Sequence, residues 1–548
     1  MKNRIKQYLL AASMCVGLTA CSDFFEPIPG VQFGLDETFA SKQRTEEYLN
    51  NVYSYVREVT DAIHPNTYGG IFTEASLDGA NRWNKTYAEW TNGSFNSASA
   101  QASEYFSKYY QAIAKASTFI QNVDKCTEAA ASTRGKWKSE ARALRAYYYF
   151  ELLRLYGPIP LIGEDPIPLD ASLEELIKER NSVDECVNFI ATELQSAIDS
   201  GDLLQRAGKA NLGRMDVATC MALKAKLYLY WASPLFNGNT DQASVKNKDG
   251  KQLFPQTEDH SKWTQARDAY ERFMTFATGQ GYKLTEVYTN GKLDPYASCR
   301  AAGEFFTTTW EAVDELIFVK LRDLYDYTYW VCPKFTDFQD TDVTGGGGYY
   351  TTQETVDLFF TKDGLTIEED PGYDKFEGIP GANNFTSGRY YDPNNPSRLY
   401  FDADKSKVLK QWKDREPRFY VNITYSGSIW LNEGKYNEEM RTDFTNGANG
   451  TCGKSKASGD CPDSGYLIRR GAKASNNNGS KHFSPVLRLA DMYLGYAEAL
   501  CMCSDLDNAL TYLNKIRVRA GIPEYTFTAT AGKITCPKTQ TDLLNQIG

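Results

Sequence analysis

The residue types that usually carry catalysis are thinly spread through this 548-residue chain. Its three histidines, His64, His260 and His482, stand far apart. No H-E-x-x-H, G-x-S-x-G or phosphate-loop motif occurs, and the four glycines at 345–348 lack a following Lys-Ser/Thr. Carboxylates are plentiful, so a glycosidase pair has the raw material, but nothing sets two of them apart. Glu368, Glu369, Asp370 and Asp374 offer oxygen donors to calcium, although a solvated acidic loop is the preferred reading. No metal and no cofactor is expected.

Among the cysteines one position carries the clearest signal. The twelve cysteines include no C-x-x-C pair, which argues against a zinc ribbon. Cys501 and Cys503 sit two apart on a predicted helix, so their side chains diverge. Cys452 and Cys461 bracket a Gly/Ser/Lys loop; a disulfide and two buried thiols are both open readings there. Cys21 is different. It follows a basic start (Lys2, Arg4, Lys6), an apolar stretch over 8–18 and the sequence Leu18-Thr19-Ala20. This order reads as a lipoprotein signal over 1–20, with Cys21 as the lipidated mature N-terminus.

No other apolar run is long enough to span a bilayer, so lipid rather than a helix supplies the membrane hold. The formal charge of −10, without a long basic run, disfavours nucleic acid and anionic membrane faces. Aromatic residues make up 13% of the chain, more than a core requires, which predicts exposed rings used for binding.

Helical periodicity supplies the frame. After a Pro-punctuated tether, helices are predicted over 38–60, 104–123, 136–156 and 182–199. Leu144, Tyr148, Leu152 and Leu155 mark one face of the third, which stops at Gly157-Pro158. Ser182 is the expected N-cap of the fourth. Two further pairs, 215–232 with 263–277 and 488–500 with 507–520, combine alanine and aromatics in the manner of tetratricopeptide hairpins or of ordinary antiparallel pairs. Between 301 and 484 helical signals thin out, loops dominate and short β-prone pieces such as 419–425 appear.

Taken in order, several segments resemble the SusD/RagB family of outer-membrane nutrient-binding lipoproteins. They are Arg142-Ala-Leu-Arg145 with the following Tyr-Tyr-Tyr-Phe150, Leu155-Tyr-Gly157-Pro-Ile-Pro160, and the alanine-rich helix from Ala222 to Tyr230. Arg415-Glu416-Pro417-Arg418 stands where the family has Arg-Asp-Pro-Arg, and the pair beginning Leu487-Arg488 and Ala509 resembles its C-terminal hairpin. The resemblance implies a mainly α fold, a TPR-like helical-hairpin scaffold with a loop-rich irregular lobe containing short β-strands. It divides the chain into a leader (1–20), a lipidated tether (21–36), a helical region (37–300) and a C-terminal region (301–548). That last region is loop-rich over 301–486, has its helix pair at 487–520, and is read as truncated at Gly548.

The same resemblance implies a non-enzymatic, outward-facing outer-membrane protein that captures oligosaccharides for a SusC-like TonB-dependent barrel. A peptide-binding member and a helix-rich surface hydrolase are the alternatives. Sugar recognition needs flat aromatic faces for pyranose rings and planar polar groups for hydroxyls. Two segments offer both: Asp78, Asn81, Arg82 and Trp83 with Trp90, and Arg322, Tyr325, Tyr329 and Trp330. Trp430 is a third candidate, with β-edge character. Any one of these rings could instead be core. Arg142 and Arg145 are expected to form packing salt bridges.

Overall fold

The predicted periodicities become an array of helices, each laid against its neighbour. The structure, a computed structural model, describes residues 34–56, 76, 79–82, 93–163, 167, 171–303, 314–322, 329–335, 345–376, 378–431, 440–445, 452, 460–472 and 482–547. Cys21 and the leader lie outside the described residues, as do Asp78, Trp83, Trp90 and Tyr325.

Helices α1 (Leu35–Ala40) and α2 (Lys42–Tyr53) stand where one helix is predicted. Ser41 separates them because its backbone is extended, at φ −96° and ψ 129°. Next come α3 (Ala100–Asn122), α4 (Ala131–Tyr156), α5 (Val183–Asp199), α6 (Val217–Ala232), α7 (Ser261–Gly279) and α8 (Pro295–Gly303). The loop-rich stretch adds α9 (Gln353–Asp357) and α10 (Pro417–Asn422); α11 (Leu489–Met502), α12 (Leu506–Ala520) and α13 (Gln540–Ile547) close the chain. The fold is mainly α. Among the described residues no helix is long and apolar enough to cross a membrane.

Packing follows chain order: α3 on α4, α4 on α5, α5 on α6, α6 on α7, then α7 on α11 and α11 on α12. Local chemistry sets the ends. Ser182 accepts from the Glu185 amide while the Glu185 carboxylate accepts from the Ser182 amide at 2.7 Å, a reciprocal cap for α5. Small residues then allow close approach. Ala218, Ala222 and Ala225 are buried along α6, and a Cβ on Gly495 of α11 would lie 2.3 Å from the Tyr270 hydroxyl on α7.

One buried ion pair ties three helices. Arg145, on α4, donates through Nε to Glu193 of α5 at 2.8 Å and through Nη1 to Ser117 of α3 at 3.0 Å. Arg142 adds a bond to the same carboxylate at 3.0 Å. Both arginines therefore serve packing, as their place in the helix predicts.

The strands are short. β1 (Ala80–Asn81), β2 (Leu316–Arg322), β3 (Tyr349–Tyr350), β4 (Arg389–Asp392), β5 (Asn395–Asp402), β6 (Ile423–Thr424), β7 (Leu467–Ile468) and β8 (His482–Arg488) concern the site and its surroundings. β8 runs antiparallel to β2, and β4 antiparallel to β5. A four-stranded sheet has the order β1-β3-β7-β6. The β-prone reading of 419–425 is corrected: Glu416 and Pro417 start helix α10, and only Ile423 and Thr424 are extended.

Candidate functional site

The glycine run is the hub of the loop-rich lobe. Four successive amides, Gly345 to Gly348, donate to the carbonyls of Pro333, Tyr329, Cys332 and Trp330 at 3.0, 2.7, 2.9 and 3.2 Å. Such contact requires bare backbone. A Cβ on Gly345 would stand 2.3 Å from the Cys332 carbonyl oxygen, and Gly347 has φ +59°. The sequence marked this run only as a loop.

From Gly348 the connection passes to the first predicted segment. Its carbonyl accepts from the Arg82 amide at 2.9 Å, and β1 pairs with β3 so that Ala80 faces Tyr350 and Asn81 faces Tyr349. The Arg82 guanidinium donates to the Cys461 carbonyl at 3.3 Å and forms an ion pair with Asp463. Lys334 pairs with Asp460 at 2.5 Å, so the 460–463 segment is held from both sides. Asp463 carried no signal in sequence, being 381 positions from its partner.

Beneath the sheet, Trp330, Cys332, Phe335, Tyr349, Trp430 and Cys452 share one apolar cluster. Trp330 is 4% exposed and Trp430 is 1% exposed. The expectation that these two rings face a ligand is therefore corrected. Their area is spent on packing, and Arg469 covers Trp430 with its guanidinium 5.6 Å from the ring centroid. Tyr329 is half-buried at the cluster's edge. Arg322 ends β2, opposite His482, in a two-stranded sheet separate from that of β1. Cys452 and Cys461 are both buried. Burial pushes the Cys332 thiol well above its ordinary range, with Cys452 adding to the rise.

The acidic loop is occupied by its own contacts. Asp370 accepts from the Gly372 amide at 2.8 Å, Glu369 accepts from the Thr366 amide at 3.2 Å, and Asp374 pairs with Lys410 at 3.3 Å. Among the described residues no cluster of His, Cys, Asp and Glu has the makings of a metal site.

The described residues thus gather a fixed guanidinium, a half-buried phenol and a short sheet over an aromatic cluster. Comparison with known proteins decides the family. Residues 315–548 match the model of the SusD family, and residues 32–229 match a SusD-like model described as starch-binding associating with outer membrane. The chain belongs to the SusD family. A SusD-like protein of Bacteroides ovatus is 27% identical over 175 residues, which is 31% of this chain and 30% of that relative's length. The fold is similar to the solved structure of BT4246, with 25% identity, a TM-score of 0.73 and coverage of 92% of this chain and 86% of that one. A SusD-like protein, BF3747, from Bacteroides fragilis shares the fold at 21% identity and TM-score 0.66, over 94% of this chain and 85% of the other. Membership of the SusD family supports carbohydrate binding and association with the outer membrane at family level.

Proposed function

We propose that this SusD-family chain is a lipid-anchored, cell-surface binding protein that captures oligosaccharides and passes them to a SusC-like TonB-dependent barrel. Cys21 carries the anchor, and the tether over 21–36 links it to a helical region (37–300) and a C-terminal region (301–548). The ligand surface comprises Asp78, Asn81, Arg82, Trp83 and Trp90, with Arg322, Tyr325 and Tyr329 as further contacts. Its role is binding rather than catalysis, and no residue is assigned to bond cleavage.

The observation that carries this reading is the junction at Gly348, which accepts from Arg82 and donates to Trp330. It supports a single surface drawn from two segments chosen for their ring and polar content. Trp330 then acts as the base on which the surface rests. Recognition of a sugar would place pyranose C–H faces on indole and hydroxyls on Arg82 and Asn81.

Calorimetric titration of the full chain in detergent against oligosaccharide and peptide panels tests this. Oligosaccharide binding lost in Trp83→Ala, with an unchanged melting temperature, is the expected result. Exclusive peptide binding, or release of cleaved products, contradicts it. For the partner, co-purification from solubilised membranes should bring down a large β-barrel.

A further inference from the structure

Beyond Asp463, the partner of Arg82, the chain enters the wall of a cleft of about 640 Å³ that none of the predicted segments includes. Its floor holds Tyr466 and Trp412, both buried. The Tyr466 hydroxyl accepts from Trp412 Nε1 at 3.0 Å and donates to Gln353 Oε1 at 2.7 Å. Gln353 Nε2 in turn donates to Asp357 Oδ1 at 2.8 Å. Those bonds use one N–H and one lone pair of an exposed carboxamide, leaving one of each for a ligand. Half-buried Phe376 and Phe444 add apolar surface to the same lining.

The walls are fixed from behind. Arg415, 2% exposed, donates to the Val356 and Phe359 carbonyls at 2.7 and 2.6 Å and to the Tyr373 hydroxyl at 2.9 Å. Tyr373 donates to the Gln411 carbonyl at 3.2 Å. One guanidinium therefore holds α9, the loop that leads to Phe376 and the turn carrying Trp412. The groups in the cleft are in position before any ligand arrives, which limits the ordering cost of binding.

We propose that this cleft is a second sugar subsite, taking one uncharged ring of an oligosaccharide with its hydroxyls on Gln353 and Asp357 and its C–H face on Phe376 or Phe444. Asp357 and Lys375 are the charged groups of its lining and offset each other, which suits a neutral polyhydroxyl ligand better than an anion or cation. The inference rests on the oligosaccharide reading above, and the shared 463–466 segment makes the cleft continuous in chain with the Arg82 surface.

The test is titration of the full chain, Gln353→Ala and Phe376→Ala with an oligosaccharide that the unaltered chain binds. Each variant should bind about fivefold more weakly, the size expected for one lost hydrogen bond or ring contact. Gln353→Ala also removes the acceptor of the Tyr466 hydroxyl, so its melting temperature should fall by a few degrees with the fold retained, and it decides the matter should Phe376→Ala fold poorly. Unchanged affinity in Gln353→Ala, with Trp83→Ala still impaired, overturns the subsite and leaves the proposed function standing. An unaltered chain that binds no oligosaccharide overturns both.

Discussion

Arg82 and Trp330 are joined through the two sides of one residue: Gly348 accepts from the Arg82 amide at 2.9 Å and donates to the Trp330 carbonyl at 3.2 Å. Any strain in the glycine run is therefore felt at both. Gly345→Ala places a methyl 2.3 Å from the Cys332 oxygen, which is backbone and has nowhere to go. The expected result is a loss of about 1–3 kcal/mol, read by chemical denaturation, together with weaker glycan binding. Full stability in this variant would mean that the run is not held as described.

Trp330 and Trp430 should behave as core. Truncating either to Ala removes a ring from the shared cluster and should cost about 3–5 kcal/mol in unfolding experiments. Loss of ligand affinity with full stability would return them to the binding surface.

The Arg145–Glu193 pair is buried, so breaking it leaves a charge without its partner. Glu193→Ala should lower stability by about 3–5 kcal/mol. Arg145→Met with Glu193→Leu should recover much of that loss, because an apolar pair avoids the desolvation of both ions.

Asp216 supplies a pH signature. It caps α6, accepting from the Thr219 amide at 2.7 Å and the Ala207 amide at 2.6 Å, and burial raises its pKa from 3.8 to about 6. The folded chain thus binds this proton more tightly than the unfolded one. Between pH 3.8 and about 6 stability from this group falls as pH rises, on the order of 3 kcal/mol in total. Asp216→Asn keeps an acceptor for the cap and should remove that slope, seen as a melting temperature that gains on the unaltered chain between pH 4 and 7.

The helices were legible because their signals are local. Leu144, Tyr148, Leu152 and Leu155 announce α4, and Ser182 with Glu185 announces the start of α5. The break at Ser41 was not, since nothing in its neighbours' hydrophobic spacing requires an extended residue there. At the candidate site the ring-bearing segments could be picked out by composition, but not which rings would be enclosed. The burial of Trp330 depends on Trp430 and Cys452, which lie far along the chain. The partnership of Arg82 with Asp463 and the packing role of the glycine run are likewise tertiary facts. Sequence spacing carries no trace of them.

The central claim is that the surface around Arg82 binds oligosaccharide. It is tested most directly by titrating the full chain and Arg82→Ala with an oligosaccharide panel. The ion pair with Asp463 is partly exposed, so its loss should cost no more than about 1 kcal/mol of stability. The account predicts glycan binding by the unaltered chain and about tenfold weaker binding by Arg82→Ala, with the fold intact. Equal affinity in the two proteins, or no glycan binding at all, would contradict it.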